Sequence, residues 1–263
     1  MINSMQLAII KKDLRSLIFN KHLFPVLLIV PFMFTVVLPT IFILTAHFAP
    51  EEVGELKKLL DLLPLSAQSD NMQRLLTGLL LNHILPVFFM IIPIMAATIM
   101  AASSFAGEKE RRTLETLLYC PLTLKQIFQS KILASFLLSM LVSFGSFLIM
   151  IPVVEIEILL TTGALLPPDM NWLVTMLLVS PAVSLMAVIL IVRSSAKAQT
   201  IDEAQQRSVF MILPILFLVI GQFTGVFLMN VRILLGLGII LALIAVLLMK
   251  GCLGRLNYEV ILK

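Results

Sequence analysis

The chain has 263 residues, of which 60% are hydrophobic and 13% charged, a balance that excludes an ordinary soluble domain and predicts an all-α polytopic membrane protein. Its basic residues fall mostly on one side of the apolar runs, so the formal net charge of +4 reports membrane topology and points to no nucleic-acid partner. A span needs about 20 apolar residues, and six runs meet that length, near 24–46, 83–105, 129–154, 171–192, 209–229 and 232–249.

Residues 1–23 precede the first span, with Leu7, Ile10, Leu14, Leu17 and Ile18 at helical spacing and Lys12, Asp13, Arg15 and Ser16 elsewhere. This pattern predicts a helix lying in the membrane interface. The first span carries Pro25, Pro31 and Pro39, each of which removes a ladder donor, so a bent helix packed against protein is expected. A cleaved signal peptide is not expected, because the first apolar run is span-length and lacks a small-x-small cleavage site.

In the segment 47–82, Leu56, Leu59, Leu60 and Leu63 share a face beside Glu51, Glu52, Glu55, Lys57, Lys58 and Asp61. A second interfacial helix ended by Pro64 is expected there, as a lip that handles substrate or as an ordinary solvated, lipid-resting face. The Glu51-Glu52 pair lies in this loop, without a later Arg or His at helical spacing, and supports no protease chemistry.

The stretch from Gly107 to Pro121 is highly charged and wedged between two spans. After Pro121, Thr123 and Gln126 have the spacing of a capping box, and Leu122 and Ile127 that of a hydrophobic staple, so a new helix begins at that point. Residues 108–120 are therefore read as a separate short helix. Its Leu114, Leu117 and Leu118 share a face that can rest on the membrane domain, while its charged edge can meet another protein. A solvated loop that only fixes topology is the plainer reading.

Farther on, the loop near Glu155, Glu157 and Asp169 has no basic residue, which fits topological bias better than a cation-attracting mouth. Thr200 and Glu203 form another capping box, opening a polar turn that leads into the fifth span. Gly221 and Gly225 have the small-x-x-x-small spacing that lets helices approach closely in lipid, between two subunits or within one. One membrane domain fills the chain, with neither repeats nor linkers.

Orientation follows from the basic residues. Fifteen of the 19 Lys and Arg lie on the side of both termini, against Lys57, Lys58, Arg74 and Arg232 on the other, so both termini are expected in the cytoplasm of a cell-membrane protein. Cys120 and Cys252 then face a reducing compartment, and no disulfide between them is expected.

The run Ser104-Phe105-Ala106-Gly107-Glu108-Lys109-Glu110-Arg111, followed by Thr113, Leu114, Glu115, Leu117, Leu118, Pro121 and Lys131, resembles the signature of ABC transporter type-2 permeases. In that family the stretch follows the second span and forms the coupling helix that docks on the nucleotide-binding subunit. The resemblance implies a docking set of Glu108, Lys109, Glu110, Arg111, Arg112 and Glu115. The family pattern has Gly before the Thr and Gly before the Lys of the next helix, where this chain has Arg112 and Ser130. A second motif, from Ala198 through Asp202, Glu203 and Ala204 to Gln205 and Gln206, is similar to the sodium-exporter-like branch of these permeases.

No Gly-x-x-x-x-Gly-Lys-Ser/Thr loop occurs, so nucleotide chemistry is not expected in this chain. The resemblance implies two permease copies, or one with a homologous permease, among membrane lipids on two ATPase subunits that hold the ATP and Mg. His22, His47 and His83 are scattered, and neither they nor the cysteines have ligand spacing, so no catalytic, cofactor or metal residues are assigned. A stand-alone secondary transporter or channel is the alternative. Such proteins carry ionisable groups within their spans. Here His83 and Arg193 lie at span ends and Glu155 beside another, which favours drive from an ATPase.

Overall fold

The computed structural model describes residues 4–48, 77–113, 121–163, 165–195, 200–223 and 230–254. Among the described residues the structure is helical and contains no strand. Helix α1 covers Ser4–Ile18, within the stretch expected to be interfacial. Among the described residues five helices are long and apolar enough to cross a membrane: α2 at Leu23–Thr45, α3 at Thr77–Glu110, α4 at Leu124–Thr162, α5 at Met170–Ser195 and α7 at Val231–Cys252. Helix α6, Ile201–Phe223, holds the first part of the run expected as the fifth of six spans. The rest of that run, with Gly225, lies outside the described residues, as does the expected interfacial helix at 51–64.

Helix α3 is the centre of the bundle. Of its most apolar stretch 89% is buried, against 22% for α2 and 17% for α7, whose outer faces are built for lipid. The exposed apolar side chains Leu141 and Leu148 on α4, Phe217 on α6 and Leu247 on α7 belong to that outer surface. A bilayer supplies the apolar solvent that a soluble fold would lack there.

Helix α4 begins as the cap spacing predicts. The amide of Gln126 donates to Thr123 Oγ1 at 3.3 Å, and the Thr123 amide donates to Gln126 Oε1 at 3.0 Å. The staple residues Leu122 and Ile127 close on Ile9 of α1, so the cap also seats the N-terminal helix. From there α4 runs 39 residues, roughly 58 Å at ~1.5 Å per residue, well beyond the ~30 Å hydrocarbon layer and the 129–154 run expected from hydropathy. It stops at Gly163, which adopts φ +69° and returns its amide to the Leu159 carbonyl.

Three of the prolines in the spans share one local geometry. The π-turns Met33–Val37, Leu80–Ile84 and Thr175–Val179 each end two residues before a proline, at Pro39, Pro86 and Pro181. Widening the turn relieves the clash of the ring with the preceding carbonyls, but it leaves acceptors without donors. Around Pro86 those acceptors are the carbonyls of Leu81 and Asn82, five and four residues back. Trp172 Nε1 donates to the first at 3.1 Å and Asn171 Nδ2 to the second at 2.9 Å, both from the start of α5. Trp172 is fully buried against Phe89 and Phe147, with ring centroids at 5.5 and 5.4 Å. In α2, Thr35 Oγ1 donates to the Pro31 carbonyl and Thr40 Oγ1 to that of Val36. In the first span, expected to be bent, the ladder is interrupted by the π-turn before Pro39, and these two hydroxyls bond back to carbonyls one turn earlier.

Candidate functional site

The site lies where α1, α3, α4 and α6 meet, at the end of the bundle that carries the charged stretch after α3. Helix α1 buries Ile9, Ile10, Asp13 and Leu17, so Asp13 sits inside the apolar stripe rather than on the polar face assigned to it from sequence. Leu7 and Ile18, also expected on the apolar face, are exposed in the fold and form an adjoining apolar edge. An interfacial helix needs both surfaces, one for the protein and one for lipid.

Asp13 is tolerated inside because charge awaits it. Lys131, one to two turns into α4 and 2% exposed, donates to the Ser104 carbonyl at 2.6 Å and to Ser104 Oγ at 3.1 Å. The same ammonium lies 3.4 Å from Asp13 Oδ2 and 3.6 Å from Glu108 Oε1, and 5.5 Å above the Phe105 ring. Ser104 Oγ in turn donates to Asp13 Oδ2 at 2.5 Å. Lys12, on the solvent edge, reaches Glu108 Oε1 at 2.5 Å, and Thr113 Oγ1 donates to Glu108 Oε2. Two cations and two carboxylates are therefore matched, so their attraction and hydrogen bonds offset the desolvation cost of burying them.

Helix α3 ends beside this cluster. The Arg112 amide donates to the Lys109 carbonyl at 3.1 Å and the Thr113 amide to the Glu108 carbonyl at 2.9 Å. This is a Schellman motif, with Arg112 in the left-handed position at φ 55°. That position favours Gly, the residue the family pattern has before the Thr. Arg112 thus holds a strained backbone, and both Arg111 and Arg112 are exposed.

The opposite side of the same turn holds α6. The Ile201 amide donates to Glu110 Oε2 at 2.9 Å, and the Glu203 amide to Thr200 Oγ1 at 3.2 Å. Ile201 packs so closely on Gly107 that a Cβ there would meet its Cδ1 at 3.3 Å. One turn on, Ala204 is fully buried in the cluster that contains Ala102 and Ala106 of α3.

The two motifs singled out from sequence are brought together, but their residues divide. Glu108, Lys109 and Glu110 are the last turn of α3, so the short helix expected over 108–120 does not begin at Glu108. Glu108 is 7% exposed and tied inward, while Glu110 caps α6. Residues 114–120, with Glu115, lie outside the described residues, as does Gly225, the partner expected for Gly221. Asp202 and Gln206 are exposed on the first turns of α6, with Glu203 and Gln205 half-buried. Sequence reasoning placed Asp13 on the wrong face and counted Lys131 only as a motif member. The available signal was a lone Lys just inside a span, which demands a counter-charge.

Several helices able to cross a membrane, a central helix ending in a charged turn, and an ion cluster at that turn describe a multi-pass membrane domain. A family model described as ABC-2 family transporter protein matches residues 7–233, and the chain belongs to that family. Searches of curated proteins and of solved structures found no significant match.

Proposed function

We propose that the chain is the permease subunit of an ATP-driven ABC exporter, forming the translocation path and taking its drive from separate ATPase subunits that hold ATP and Mg. In this reading both termini and the α3–α4 connection are cytoplasmic, and the chain works with a second copy or a homologous permease. The observation that carries it is the last turn of α3. Its inner side is locked to α1 and α4 through Glu108, its other side to α6 through Glu110, and it leads directly to exposed Arg111 and Arg112. A turn joined to three helices and open to solvent is suited to receive force from a docked protein. The chain itself is assigned no catalysis.

Tagged chain isolated in mild detergent should carry an ABC-type ATPase subunit. Isolation without any ATPase, together with substrate movement by the chain alone along an ion gradient, would establish the secondary-transporter alternative instead.

A further inference from the structure

Family membership and the charged stretch point to docking after α3, but not to how displacement there reaches the rest of the bundle. Two contacts on one turn bear on this. Glu110 Oε2 accepts the first amide of α6 at 2.9 Å, and Gly107, three residues earlier on the same face, receives the Ile201 side chain. The first amides of a helix lack partners within it, and a carboxylate at that end also complements the helix dipole. Here the capping carboxylate is supplied by another helix. Ala204 extends the seam into the core beside Ala102 and Ala106.

We infer that Glu110 is a positioning residue that pins the start of α6 to the last turn of α3, so that the Thr200–Gln206 turn is driven by the docking segment and is not a second docking face. The driving step rests on the permease reading above; the pinning does not. Glu110 then acts as a hydrogen-bond acceptor toward Ile201, where a docking role would use its charge toward a partner.

The test uses the full chain with its co-purifying ATPase in nanodiscs, spin-labelled through Lys125→Cys and Gln206→Cys in a background carrying Cys120→Ser and Cys252→Ser. Both labelled positions are exposed, and the pair measures α6 against α4. With labelled chain diluted into unlabelled chain, the parent should give one narrow distance distribution that shifts on adding ATP with orthovanadate. Glu110→Ala should broaden the nucleotide-free distribution and lose the shift, whereas Glu110→Gln, which keeps an acceptor, should restore both. Ile201→Pro provides a second route, because proline is at home in a first helical position yet removes both the donated amide and the side chain seated on Gly107. It should reproduce Glu110→Ala. A parent-like distribution and shift in Glu110→Ala overturns the proposal, as does failure of Glu110→Gln to rescue, or a parent that never shifts with its ATPase bound. Should no ATPase co-purify, the permease reading fails. The nucleotide-free distributions of the chain alone then decide the pinning, which broadening in Glu110→Ala supports and a parent-like width overturns.

Discussion

Lys131 of α4 and Asp13 of α1 lie 3.4 Å apart, each at most 5% exposed, although 118 residues separate them in sequence. Their meeting fixes the N-terminal helix to the central bundle. Lys131→Met should destabilise the protein by about 3–5 kcal/mol, because Asp13 and Glu108 lose their shared buried counter-charge. Thermal unfolding in detergent measures this. Asp13→Asn should cost less, since Lys131 retains Glu108 and the Ser104 carbonyl, and an equal cost for both changes would contradict the shared-cation geometry.

Arg112 occupies a left-handed backbone position that costs a non-glycine residue about 1–2 kcal/mol. Arg112→Gly should therefore stabilise the end of α3, and Arg112→Val should destabilise it. Amide exchange at Thr113, whose N–H closes the motif on the Glu108 carbonyl, should slow in the first variant and quicken in the second.

Trp172 supplies the donor that Pro86 lacks. Trp172→Phe keeps most of the ring packing but leaves the Leu81 carbonyl without its 3.1 Å partner, which should cost about 1–3 kcal/mol in thermal unfolding. Combining it with Pro86→Ala should recover part of the loss, because the restored backbone N–H can serve that carbonyl.

Gly238 of α7 lies against the π-turn of α5. A Cβ there would stand 2.7 Å from Leu178 Cγ and Cδ2, so Gly238→Ala should overpack the α5–α7 seam and lower stability by about 1–3 kcal/mol. Gly236→Ala, where a Cβ meets nothing within 4 Å, is the matched control and should be near neutral or stabilising.

Much of this architecture was legible in the residues. Long apolar runs have no other stable solution than helices in lipid, and the Thr123 cap with its Leu122 staple fixed the start of α4 through purely local chemistry. The resemblance in residues 104–131 singled out the charged turn that ends α3. What escaped was set by distant partners. Asp13 looks polar and solvent-bound until Lys131 is brought beside it, and Glu108 and Glu110 look alike as surface charges until α1 and α6 pack on either side. The end of α3 at Glu110 rests on a positive φ at Arg112, which the residue type itself does not suggest and which only the Gly of the family pattern at that position signalled. Hydropathy likewise understated α4, because it marks only the apolar part of a helix that runs from its Thr123 cap to Gly163.

The central claim is that force enters this chain at the exposed end of α3. Its most direct test is the amount of ABC-type ATPase retained on tagged chain carrying Arg111→Glu with Arg112→Glu, relative to the parent, with membrane insertion measured in parallel. The account predicts normal insertion and a marked loss of bound ATPase. Undiminished retention by the charge-reversed chain, with ATP hydrolysis still coupled to transport, would contradict it.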